Sequence, residues 1–159
     1  MAQPIVSWYE KNDTGEIVAI PETGYKWSLG EVKAGDPSAE KTFYVWNNKG
    51  GTEDVSTMQD CKITIVDNAS EFTDIIEQKW IRCRLDTVEG DTFDQIGGTT
   101  EKEIRAKGQD AGIILGSANS GEIADTDNFT QVTLFALPNA DVRDAGIRKF
   151  KVRVSYFYV

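Results

Sequence analysis

Phe150-Lys-Val-Arg-Val-Ser-Tyr-Phe-Tyr-Val159 decides the fold. It is rich in β-branched and aromatic residues and holds no Gly or Pro, the composition of a strand. Successive strand side chains point to opposite faces, so Phe150, Val152, Val154, Tyr156 and Tyr158 share one face, and Lys151, Arg153, Ser155, Phe157 and Val159 share the other. The first half alternates apolar with basic, as a strand with one face on a core and one in water does. The last half is apolar on both faces. Such a strand either lies between two layers or is covered by something outside the domain.

The same question arises at Phe43-Tyr44-Val45-Trp46. If Phe43 and Val45 point to the core, Tyr44 and Trp46 point away from it and need a cover or a partner; local covering by loops is the structural alternative to an interface. Short β-rich runs recur about every dozen residues, separated by Gly, Asp, Asn or Pro, which predicts an all-β sandwich. The strands expected are Pro4–Tyr9, Glu16–Ile20, Trp27–Val32, Lys41–Asn47, Met58–Val66, Trp80–Asp86, Ile104–Ala106, Ala111–Leu115, Gln131–Leu137 and Lys149–Val159. Turn residues at Asp13–Gly15, Gly35–Pro37, Asn47–Gly51, Glu89–Asp91, Gly97–Gly98, Asn119–Gly121 and Pro138–Asn139 separate them. Glu71–Gln78 spaces Phe72, Ile75 and Ile76 as one or two helical turns would, or forms an irregular loop. The longest connection expected runs from Thr87 to about Lys107, and a connection of that length is functional or flexible.

At 159 residues and 40% hydrophobic, the chain reads as one domain, 1–159, with residues 1–20 as an N-terminal arm or added strands. The arm Met1–Tyr9 is expected to pair with a neighbouring subunit's sheet edge. Seventeen Lys plus Arg against 26 Asp plus Glu give a net charge of −9, the wrong sign for nucleic acid or an anionic membrane. The charge is uneven. Residues 141–159 hold five basic and two acidic side chains, a local +3, which leaves −12 on the rest. That basic strip is either the solvated face of an outer strand or a contact with the acidic surface of another copy. The opening MAQPIVSWYEKNDTG has neither a basic nor an apolar signal region, and no apolar run reaches the ~18 residues of a membrane span, so no secretion signal or membrane partner is expected.

No histidine is present, which excludes His-based triads, general bases, zinc ligands and pH switches. Cys61 and Cys83 have neither CxxC spacing nor the density of a disulfide-stapled domain. Each lies on the apolar face of an expected strand, as a buried residue or a structural pair. A thiol nucleophile would have only Lys or a carboxylate to activate it. Asp125-Thr-Asp127-Asn128 alternates oxygen ligands but lacks the glycine and the distal Glu of a calcium loop. The sequons at Asn12, Asn68 and Asn128 read as turn chemistry. No catalytic residue, metal ligand or cofactor is nominated. Trp8, Trp27, Trp46 and Trp80 would suit a sugar-stacking face, but equally a core or an interface.

Trp27-Ser-Leu-Gly-Glu-Val-Lys-Ala-Gly-Asp-Pro-Ser-Ala-Glu-Lys-Thr-Phe-Tyr-Val-Trp-Asn-Asn-Lys-Gly-Gly51 resembles the opening of immunoglobulin-like sandwich domains, with the pattern hydrophobic-G-x-V, a glycine turn, then F-x-V-x-N-x-G. The resemblance implies Leu29 and Val32 on a first core strand, Gly35 as a turn, Phe43 and Val45 on the next strand, and Asn47–Gly50 closing a hairpin. The second half, from Ile114-Leu-Gly through Pro138-Asn-Ala to the closing strand, fits the same plan. Such a domain needs about 100 residues, so the remainder would form the arm and long loops.

Together these stretches are similar to the immunoglobulin-like accessory structural proteins of tailed bacteriophages and prophages, decoration or fibre-like proteins attached to capsid or tail. The resemblance implies a non-enzymatic virion protein assembled in the host cytoplasm, whose partners are other virion proteins and further copies of itself. A carbohydrate-binding or adhesive module, with a glycan as partner, is the alternative. The interface candidates are Trp8, Tyr44, Trp46, Tyr156, Phe157 and Tyr158 for apolar contact, with Arg148, Lys149, Lys151 and Arg153 as rim or steering charges.

Overall fold

The computed structural model describes residues 1–159 as nine strands, a four-residue helix α1 (Asp74–Glu77) and a single 3₁₀ turn. The strands are β1 (Val6–Lys11), β2 (Ile17–Ala19), β3 (Lys41–Asn47), β4 (Gln59–Asp67), β5 (Ile81–Leu85), β6 (Asp94–Ile96), β7 (Lys102–Glu103), β8 (Phe129–Ala136) and β9 (Phe150–Phe157). Every pairing is antiparallel. One sheet runs β2-β1-β3-β8-β5-β6 and the other β7-β4-β9, an all-β sandwich.

The two-residue period places the core. Phe43 lies opposite Val132 and Cys83 opposite Leu134 in the larger sheet. These face Cys61, Ile63 and Ile65 of β4 in one buried cluster, against which Phe150, Val152 and Val154 of β9 pack half-buried. Burying side chains of this size contributes roughly 1.5–3 kcal/mol each.

Where the strands depart from expectation, the cause is tertiary. Trp27–Val32 forms no ladder. Tyr25, Trp27 and Leu29 do alternate inward, and the Trp27 ring stands edge-on to Phe43 at 5.4 Å and Phe150 at 5.5 Å. The segment thus fills the gap between the sheets by its side chains while its backbone pairs with no strand. The Thr87–Lys107 connection is not an open loop, because β6 pairs with β5 and β7 with β4. It carries the chain from one sheet to the other. Ile104–Ala106 and Ala111–Leu115 extend β4's sheet without forming regular strands, held by Ile104 N to Cys61 O (3.0 Å), Ala106 N to Ile113 O (2.9 Å), Cys61 N to Gly112 O (3.0 Å) and a reciprocal pair between Met58 and Ile114. Nor do Asn47–Gly50 close a hairpin: β3 pairs with β1 and β8, and the chain after β3 crosses to β4 in the opposite sheet. Gly35 does turn the chain with φ +82°.

The N-terminal arm is corrected as well. Val6–Lys11 pairs with β3 of its own chain, with Trp8 opposite Val45. The hydrogen-bonding edge that was expected to meet a neighbour is therefore used within the molecule.

Candidate functional site

The interface candidates divide into those the fold consumes and those it leaves outside. Tyr44 and Trp46 are 2% and 1% exposed, which overturns the expectation that they face a partner. The strand order explains it. β1, β3 and β8 are neighbours, so Tyr9, Tyr44, Trp46 and Phe129 meet on one outer face and bury one another. Trp46 stacks on Phe129 with centroids 4.6 Å apart, and the Lys49 ammonium lies over the Tyr9 and Trp46 rings at 5.0 and 5.3 Å, a cation–π cover. Trp8 turns inward from β1 and packs half-buried on the main core.

Arg148 is likewise not a rim charge. Its guanidinium donates to both Asp74 carboxylate oxygens, Nε to Oδ1 at 2.9 Å and Nη2 to Oδ2 at 2.7 Å. Nη1 donates to the Asp144 and Gly146 carbonyls. The Phe72 and Trp80 rings lie at 4.6 and 5.2 Å. This clamp pins residues 144–148 to the α1 region. The bond from Arg148 holds the Asp74 carboxyl below its ordinary range, against a smaller opposing effect of burial.

Outside remain Lys149, Lys151, Arg153, Tyr156, Phe157 and Tyr158, all on or beside β9. Tyr156, Phe157 and Tyr158 are 38%, 51% and 45% exposed. The three cations are exposed and enter none of the molecule's salt bridges. A β-bulge in β4 between Gln59 and Lys62, with Asp60 at φ +50°, sits opposite this part of β9.

The end of β9 is tied to the start of the chain. Ser56 N donates to Ala2 O at 2.8 Å, Ser56 Oγ to Val159 O at 3.3 Å, and the Tyr158 hydroxyl to Gln3 Oε1 at 3.3 Å. Ile5, 56% exposed, thus belongs to the same end of the molecule. The sequence placed Ile5 in the N-terminal arm but not beside β9, because its place depends on the buried amide of Asn47, whose Oδ1 accepts from Ile5 N at 3.1 Å.

Two surface hollows each hold a paired charge. One of about 300 Å³ is lined by Glu10, Tyr25, Trp27 and Lys41 among others. There Glu10 accepts from the Tyr25 hydroxyl and pairs with Lys41 at 3.5 Å. Burial first, and then the Glu10 carboxylate, push the Tyr25 phenol well above its ordinary value. A second hollow, about 470 Å³, holds Lys102 between Asp91 and Asp94. Burial alone would lower the Lys102 ammonium, but its bonds to Asp94 and Asp91 outweigh burial and raise it. In the run 125–128, Asp125 accepts from Ser120 N at 2.8 Å, Asp127 from Gln109 at 3.0 Å, and the Asn128 amide donates to the Leu115 and Ser117 carbonyls. A protein donor thus takes one oxygen of each aspartate, and no group of three or more acidic or Cys side chains is placed to hold a metal ion.

Cys61 and Cys83 are unpaired and buried. Burial, with a smaller push from nearby acids at Cys61, raises each thiol to about 12, so neither supplies a thiolate at neutral pH. The exposed aromatics and unpaired cations at the end of β9 are therefore the interface candidates that the fold leaves outside. No protein-family model matches the chain, and a search of curated proteins returns no match.

Proposed function

We propose that this chain acts by binding, as a non-enzymatic structural and assembly protein of a phage virion that attaches to a capsid or tail surface through the open end of β9. The observation that carries the reading is the run Tyr156-Phe157-Tyr158, three successive aromatics left exposed beside three cations without acidic partners. Large apolar side chains left exposed together at one strand end mark interaction surfaces, and aromatic side chains with Arg are the residues that anchor them. The immunoglobulin-like plan belongs to the same proposal. It is supported by Phe43 and Val45 on the inner face of β3 and by the left-handed turn at Gly35.

Purified particles of the phage whose genome encodes this chain supply the test. The chain is expected to cosediment with them and to appear in electron micrographs as density on capsid or tail. A Phe157→Ala/Tyr158→Ala double variant is expected to fold and to bind ~10-fold or more weakly, a loss of about 1.4 kcal/mol or more. Absence of the chain from purified particles would sink the reading. Specific binding to a glycan array, lost on substitution of Tyr156 and Tyr158, would favour an adhesive module instead.

A further inference from the structure

Each sheet ends in a strand with one bare edge: β9 carries Lys151 and Arg153 with Lys149 just before it, and β2 is preceded by Glu16. In β9 the register to β4 sets Val66 opposite Lys151 and Thr64 opposite Arg153, and Asn68 N donates to Lys149 O at 3.2 Å. Residues 149, 151 and 153 therefore turn their backbone groups to β4, and Phe150, Val152 and Val154 turn theirs away. None of those outward groups has a partner in the chain. In β2, Asn12 N donates to Glu16 O at 2.8 Å and Ile20 N to Trp8 O at 2.9 Å, so Val18 faces β1 and the backbone groups of Ile17 and Ala19 point outward, likewise unpartnered. Ile17 is 40% exposed, and Glu16 is exposed and in no salt bridge.

We propose that copies of this chain associate head to tail, the bare edge of β9 in one copy adding antiparallel to the bare edge of β2 in the next. The phase of the outward groups allows Val152 opposite Ile17 and Phe150 opposite Ala19, and that register places Arg153 directly across from Glu16. Four N–H···O bonds form, the exposed Ile17 side chain is covered beside Val152, and an unpaired cation meets an unpaired anion. Cations on an edge strand guard against pairing with the same edge of another copy. A β9–β9 pair centred on Val152 sets Lys151 against Arg153, and one centred on Arg153 sets that residue against itself. The charge pattern thus disfavours those two-fold registers and admits the heterologous pairing, which closes into a ring or extends as a filament.

The inference goes beyond attachment to a particle. A chain that self-associates but enters no particle sinks only the earlier reading, and one that decorates particles as isolated monomers sinks only this one. The test is light scattering of the full chain over a concentration series in low and high salt. The wild type is expected to grow in mass with concentration, and less so in high salt. Ala19→Pro, which removes an outward donor, and the exposed changes Arg153→Glu and Glu16→Arg are each expected to give monomers with unchanged circular dichroism. The Arg153→Glu/Glu16→Arg pair is expected to restore association. A wild type that stays monomeric up to ~1 mM, or association indifferent to all three single changes, would overturn the proposal.

Discussion

Asn47 and Asn48 close β3 and fix how the chain leaves it. Asn47 is fully buried; its amide donates to Ser56 O at 3.0 Å while its oxygen holds Ile5 N. Asn48, at φ +61°, donates from Nδ2 to Glu53 O at 2.7 Å and Gly116 O at 3.0 Å. Asn119 returns the bond by donating to Asn48 O at 2.7 Å. A buried group left without its partner costs about 1–3 kcal/mol, so Asn47→Ala is expected to lower unfolding free energy by about 2–3 kcal/mol in urea at unchanged m-value. At Asn48 the backbone adds a second penalty. Asn48→Gly loses the side-chain bonds but keeps the conformation, and Asn48→Ala loses both, so alanine is expected to be worse by about 1–2 kcal/mol. Equal losses for the two variants would refute that separation.

Arg148 gives a residue-scale prediction with a pH sign. Because its bond depresses the folded-state pKa of Asp74, the pair's contribution is fully present above the unfolded carboxyl value, near 3.9, and fades as pH falls below it. Asp91 acts in the same direction. Burial alone would raise it, but the bond from Leu85 N and the Lys102 ammonium outweigh burial and lower it. Thermal midpoints should therefore be insensitive to these two groups from pH 7 to 5 and decline below about pH 4. Arg148→Ala is expected to cost about 1–3 kcal/mol at pH 7 and to make the acid decline shallower; a decline as steep as the wild type's would show that the pair does not drive it.

At the scale of the element, β3 and β9 carry similar two-faced sequences and opposite fates. β3 has a neighbour on each side, so its outer aromatics are closed over by Tyr9 and Phe129. β9 has β4 on one side only. Trp46→Ala is therefore expected to destabilise by about 3–5 kcal/mol, whereas Phe157→Ala should change stability by no more than about 0.5 kcal/mol, both read by chemical denaturation. The period of two told which residues share a face in each strand, and β3 was legible to its ends. It did not tell which strands lie beside which, so the burial of Tyr44 and Trp46 was not readable. The short β6 and β7 were missed for a related reason: two or three residues carry no periodicity, and their pairing is imposed by the crossing between sheets.

For the whole molecule, one continuous core joins the two sheets, and both thiols lie in it. Cys61 and Cys83 are expected to resist a thiol reagent in the native state and to react at the rate of opening, with both labelled together if unfolding is cooperative. Rapid labelling of either at pH 7 would contradict its burial.

The sequence alone determined the all-β character, the inward faces of β3, β4, β5 and β9, the burial of the cysteines and the basic bias of the closing strand. These follow from side-chain period and composition, which are local. Tertiary structure alone decided that Trp8, Tyr44, Trp46 and Arg148 are spent inside while Tyr156, Phe157, Tyr158, Lys149, Lys151 and Arg153 stay outside. Exposure depends on which strands become neighbours, and that is set by contacts between residues far apart in the chain.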